Sequence, residues 1–155
     1  MKELSIQKVS ADNWRSLAGL TVAADQNPYI EPNEISMLES FYDTKHNWVC
    51  FGLFKQDQPL GFMMIGAENK EEQYIWLDRF MIDQGFQGSG LGKSFIQLAI
   101  EYIFAHYAVN EIVISIKPEN VGAKRFYTQA GFEDSGLIDP KFDEDIFVYE
   151  RSTAE

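Results

Sequence analysis

Residues 4–9, LSIQKV, alternate apolar and polar side chains, the period of a strand with one face in the core. Trp14, Leu17, Ala18, Leu20 and Thr21 then fall at helical spacing to about Ala24, with Asp12 able to cap that helix and Asn27-Pro28 breaking it. Asn33 can cap a second helix carrying Ile35, Leu38, Phe41 and Tyr42. The period next becomes that of strands over 48–54 (WVCFGLF), 60–67 (LGFMMIGA) and 74–82 (YIWLDRFMI), and the short polar turns between them predict an antiparallel trio. In the third of these, alternation places Asp78 on one face with Trp76 and Phe80, and Leu77, Arg79 and Met81 on the other.

A glycine-rich loop separates this trio from a long helix marked by Leu91, Phe95, Leu98, Ala99, Tyr102 and Ile103. Residues 111–116, EIVISI, read as a buried strand that follows a helix, which predicts parallel pairing with the strand before that helix. Asn120 can cap a further helix through Ala123, Phe126 and Tyr127, stopped by Gly131. The closing runs 132–138 and 145–150 predict an antiparallel pair. The order implies an α/β fold in which about four helices flank a mixed sheet of about seven strands.

Length and charge narrow the function classes. A chain of 155 residues with no Pro/Gly/Ser-rich divide is expected to form a single domain over 1–155. Thirteen Lys and Arg against 24 Asp and Glu give a formal charge of −11, a surface that repels nucleic acid and attracts cations. The amino-terminal MKELSIQKVSADNW lacks an apolar export core and no later run reaches the length of a membrane span, so a cytoplasmic protein with no membrane association is expected. Cys50, the lone cysteine, lies in an apolar run and reads as core filler. His46 and His106 have no Cys or His at ligand spacing, and no metal is expected.

The candidate chemistry starts in QGSGLGKS, residues 87–94. A Walker A loop would require glycine at position 87, which is Gln87, and a dinucleotide fingerprint would require two residues between Gly90 and Gly92, where only Leu91 stands. A loop between a strand's carboxyl end and a helix's amino end still presents unpartnered N–H groups and the positive end of the helix dipole. Gly88, Gly90 and Gly92 let that backbone approach an anion such as a pyrophosphate.

The pattern Gln87-Gly88-Ser89-Gly90-Leu91-Gly92, opening a long helix after a strand, resembles the acetyl-CoA pyrophosphate loop of the GNAT-type N-acetyltransferases. The stretch ISIKPENVGAKRFYTQAGFE, 114–133, is similar to that superfamily's next motif of strand, Asn, helix with Phe-Tyr, and Gly-Phe. A narrower likeness, in NPYIEPNEISMLE and YIWLDRFMIDQGFQGSGLGKSF, is to bacterial spermine/spermidine (diamine) N-acetyltransferases. The resemblance implies the GNAT fold, acetyl-CoA as co-substrate, a small cationic amine as acceptor and a homodimer or higher homo-oligomer.

It also implies roles for particular residues. Gln87, Gly88, Ser89, Gly90, Leu91, Gly92 and Lys93 would meet the cofactor's phosphates, and Asn120, Ala123 and Phe126 its pantetheine side, with Lys124 and Arg125 as further nearby cations. Backbone donors around Phe80, Met81 and Ile82 would stabilise the developing oxyanion. Tyr127 would protonate the departing thiolate, which a phenol with a pKa near 10 can do. Asp78, shorter than the Glu of some relatives, would take the amine proton, the alternative being a structural pair with Arg79. Tyr29, Glu31, Glu34 and Asp78 would face the acceptor, and Asp143, Glu144 and Asp145 could form a second wall. The rival readings are another acceptor on the same fold, a protein amino terminus or an aminoglycoside among them, a nucleotide hydrolase, and a non-catalytic CoA-binding module.

Overall fold

The structure, a computed structural model, describes residues 3–151. Its strands are β1 (Leu4–Lys8), β2 (Val49–Lys55), β3 (Gln58–Asn69), β4 (Tyr74–Ile82), β5 (Glu111–Ile116), β6 (Glu133–Asp139) and β7 (Glu144–Glu150). Its α-helices are α1 (Trp14–Ala18), α2 (Asn33–Tyr42), α3 (Leu91–His106) and α4 (Val121–Ala130). The strands form one sheet in the order β1-β2-β3-β4-β5-β7-β6, with β4 and β5 its parallel neighbours, as the intervening helix predicts.

Two apolar layers hold the sheet. On one face Phe95, Ile96, Ala99 and Ile103 of α3 pack on Phe51, Met63, Ile75 and Ile112. On the other, Cys50, Phe62, Met64 and Met81 are covered by Val9, Leu20, Ile30 and Met37. Cys50 is core filler as expected: it is 7% exposed, and burial pushes its thiol pKa up.

Two features of the sheet create the site. The β4–β5 ladder lasts only three pairs, Tyr74 with Glu111, Ile75 with Ile112 and Trp76 with Val113. Beyond it β4 continues beside β3 to Ile82 while β5 continues beside β7 to Ile116, so the strands part at their carboxyl ends. Secondly, β4 carries a bulge. Leu77 pairs with Ile65 and Arg79 with Met64, leaving Asp78 as the extra residue. The bulge overturns the strict alternation expected for this strand: Phe80 and Ile82 join Leu77 on the α3 face, and Met81 lies on the opposite face.

The first helices also differ from expectation. α1 ends at Gly19, residues 24–29 form a separate 3-10 turn, and Asp12 is not its cap. The N-cap of α1 is Asn13, whose side chain turns back to Ser10 and Lys8 instead of capping the helix. Asn33 does not cap α2 either. It is the helix's first residue, 3% exposed, and its Nδ2 donates to the Leu17 carbonyl at 2.9 Å. That bond turns Asn33, Ser36 and Met37 inward at i, i+3 and i+4, and leaves Ile35, Leu38, Phe41 and Tyr42 exposed. The later elements follow the sequence pattern closely: Asn120 caps α4 by accepting from the Ala123 N–H at 3.1 Å, and Gly131, at φ 111°, ends it.

Asn33→Ala removes the buried donor and leaves the Leu17 carbonyl without it. Denaturant unfolding is expected to show a loss of about 1–3 kcal/mol; a change within about 0.5 kcal/mol, the range of ordinary surface substitutions, would rule out this bond as the anchor of α2.

Candidate active site

The parted strands open a cleft of about 1550 Å³. One end is framed by the glycine loop and α4, the other by the segment leading into α2 and by the start of β7. Both ends therefore meet at the bulged part of β4.

At the loop end, Gln87 Nε2 donates to the Ile82 carbonyl at 2.9 Å and to Gln26 Oε1 at 3.0 Å, and Ser89 Oγ donates to the Phe86 carbonyl at 2.7 Å. These bonds pin the loop to the end of β4. Gly88 and Gly90 have φ of 81° and 83°, and no atom lies within 4 Å of where a Cβ would stand, so backbone conformation is what requires glycine there. Gly90 is the N-cap of the 16-residue α3 and supplies no side-chain cap, which leaves the first-turn N–H groups without a capping side chain, next to Gly92 in the cleft lining. This cradle fits an anionic phosphate chain.

The other predicted cofactor residues separate by position. Gln87, Gly88, Gly92, Asn120, Ala123 and Phe126 line the cleft, while Leu91 is buried in the core and Lys93 is exposed on α3. Gly92 is small because α4 comes close: a Cβ there would stand 3.3 Å from the Phe126 ring. Lys124 is engaged elsewhere, in an ion pair with Asp145 at 2.7 Å. Phe80, Met81 and Ile82 line the middle of the cleft, where β4 has no strand on the side that parted from β5. Tyr127 lies there too, edge-on to Phe126 and Phe132, and burial pushes its phenol pKa well up, so it is protonated at neutral pH.

At the other end Arg79 gathers three carboxylates. Its Nη1 donates to Asp78 Oδ2 and, at 3.3 Å, to the Asp78 carbonyl; its Nη2 donates to Glu31 Oε1 and, at 3.3 Å, to Glu39 Oε1. Burial pushes the Asp78 carboxyl pKa up and Arg79 draws it down, but Glu39, Glu31 and Glu144 add to the upward push, and the net shift is upward. Burial opposes the Arg79 charge, and its carboxylate partners outweigh that, so the guanidinium stays ionised. Tyr29 and Glu144 complete this end, Glu144 accepting from Ser115 Oγ at 2.7 Å. Glu34 is exposed and does not line the cleft.

The pairing of Asp78 with Arg79 and its place in the cleft thus coexist. Glu39 and the bridging role of Arg79 were missed by sequence reasoning. The signal available was a charged Asp-Arg pair inside the apolar strand YIWLDRFMI, whose common outlet depends on the bulge.

The sequence model of the Acetyltransferase (GNAT) family matches residues 14–132. The spermine/spermidine N(1)-acetyltransferase of Bacillus subtilis (strain 168) is 31% identical over 141 residues, covering 88% of this chain and 91% of that protein. Among solved structures, spermidine N-acetyltransferase from Vibrio cholerae in complex with CoA and spermine superposes with a TM-score of 0.74 at 18% identity, over 97% of each chain. The dodecameric structure of spermidine N-acetyltransferase from Vibrio cholerae gives 0.73 at 18% identity, over 98% of this chain and 96% of that one. Those structural likenesses show the fold, and the family match and the Bacillus relative show the lineage: the chain belongs to the GNAT family of acetyltransferases.

Proposed function

We propose that this protein transfers an acetyl group from acetyl-CoA to a primary amine of a polyamine such as spermine or spermidine, by direct attack within a ternary complex. The observation that carries the reading is the convergence of six carboxylates, Glu31, Glu39, Asp43, Asp78, Asp139 and Glu144, on one cleft that Arg79, Lys117 and Lys141 line as its lysine and arginine side chains. Such an excess of carboxylates suits a multiply charged cation, and Tyr29 and Trp76 supply aromatic walls for its methylenes. The reading agrees with the substrate named for the Bacillus relative.

Acetyl-CoA supplies the activated thioester. Its diphosphate is accommodated by the N–H groups of the Gly88–Gly90 loop and α3, and its pantetheine arm by the gap between β4 and β5, beside Asn120, Ala123 and Phe126. An alkylammonium has a pKa of about 10.4, so the acceptor nitrogen must first lose a proton. Asp78, whose pKa is raised, takes it directly or through water. As the C–N bond forms and the C–S bond breaks, backbone N–H groups around Phe80 to Ile82 stabilise the carbonyl oxygen. Tyr127 gives its phenolic proton to the departing sulfur.

The same reading puts the enzyme in the cytoplasm, where a lone buried thiol persists. It also makes the protein a homodimer or larger homo-oligomer: β6 is an edge strand, and Leu137 and Ile138 on it are exposed.

CoA release should saturate with spermine or spermidine and be absent with an amino-terminal peptide or an aminoglycoside; turnover confined to those last two would replace the polyamine by another acceptor. Tyr127→Phe is expected to lower kcat by about 10²–10⁴-fold with CoA affinity retained, as for a lost general acid. Undiminished kcat removes that role. Because catalysis needs ionised Asp78, kcat/KM should fall as pH drops through a pKa above the ordinary aspartate value of about 3.9. Asp78→Asn should lower kcat/KM by about 10²–10⁴-fold and abolish that acid limb; a surviving limb assigns it to another group.

A further inference from the structure

Arg79 occupies the amine end of the cleft in a way that packing does not explain. Its side chain is 17% exposed, its two Nη atoms face carboxylates, and its Nε is buried with no hydrogen-bond partner among the described residues. An arginine placed for structural support would be expected to satisfy that donor. Here the guanidinium is oriented by the acids instead, and its contacts divide. Nη1 serves Asp78, through both the carboxylate and the main-chain carbonyl, whereas Nη2 serves Glu31 and Glu39. The latter two carboxylates are 54% and 36% exposed against 22% for Asp78, so a cation entering the cleft reaches them first.

We propose that Arg79 is the resident counter-cation of the acceptor site: its Nη2 holds Glu31 and Glu39 until an ammonium group of the acceptor replaces it there, while its Nη1 stays on Asp78 and positions that carboxylate for the amine proton. The proposal rests on the amine-acceptor reading above. No covalent step is involved; one charged hydrogen-bond donor is exchanged for another at the same oxygens. Arg79 is a positioning residue, and it sets how much positive charge the acceptor must bring. Within the ion-paired cluster itself, three carboxylates against one guanidinium leave two negative charges, and Glu144 on β7 adds to the field at Asp78. The groups that face Asp78 are thus Arg79 from β4, Glu31 from the segment before α2, Glu39 from α2 and Glu144 from β7.

Arg79→Gln and Arg79→Lys test this in the full chain, with kcat/KM for putrescine, spermidine and spermine measured across pH and spermine-induced thermal shifts measured alongside. Removing the fixed charge in R79Q should raise the preference for spermine over putrescine by about tenfold or more. It should also move the acid limb up by about one pH unit or more, because an opposite charge at contact distance draws a carboxylate pKa down by that much. R79K keeps the charge and should keep the limb near its wild-type place. Equal loss for all three amines with an unmoved limb overturns the proposal and leaves Arg79 a structural residue. If the wild-type protein turns over no polyamine, the acceptor reading fails on that result alone. The thermal shift then decides Arg79: a larger spermine-induced rise in R79Q than in wild type upholds the exchange, and an equal one overturns it. Should R79Q fail to fold, Glu39→Gln is the second variant. It should lower the preference for spermine over putrescine by about tenfold, and an unchanged preference overturns the proposal.

Discussion

The parting of β4 from β5 after three residue pairs is the constraint on which the site depends. A sheet normally satisfies both backbone edges of an inner strand, so an interruption leaves donors and acceptors that another group must meet. Here the interruption faces the amino end of α3, whose first-turn N–H groups also lack partners within the helix. One gap in the hydrogen-bond ladder thereby gathers an anion cradle, a slot between strands and the bulged stretch of β4. The antiparallel blocks on either side keep the gap open, since β4 is held by β3 to Ile82 and β5 by β7 to Ile116.

Electrostatics divide the cleft into unlike halves. The loop end offers backbone dipoles suited to an anion without requiring a basic side chain, while Lys93 is exposed and Lys124 serves an ion pair with Asp145. The opposite end concentrates carboxylates around one arginine, and burial there pushes the Asp78 pKa up. The acid excess of the whole chain is thus expressed locally, in the acidic lining of the cleft.

Legibility in the sequence followed the locality of the interactions. The boundaries of β4, β5 and α4 and the stop at Gly131 could be read from local patterns because alternation, β-branching, an Asn cap and a left-handed glycine each act within a few residues. α2 misled for the opposite reason. Its apolar residues suggest an inward face, but the long-range bond from Asn33 to the Leu17 carbonyl turns them to the surface. In the site, Gln87, the glycines and Tyr127 were legible through the motif, whereas Glu39, although it closes the stretch NPYIEPNEISMLE, reaches Arg79 across 40 residues of sequence, a contact that no local pattern displays.

By itself the sequence determined the order of elements, the mixed sheet, the glycine cradle before α3 and the acidic balance, all of which rest on backbone propensity, periodicity or composition. Only the tertiary structure decided which side chains share the cleft. The bulge at Asp78 changes the facing of every residue after it in β4, and a strand's period of two makes a one-residue shift reverse the faces. Because that shift arises from pairing with β3, no reading of β4 alone could have placed Asp78 and Arg79 at the same opening with Glu31 and Glu39.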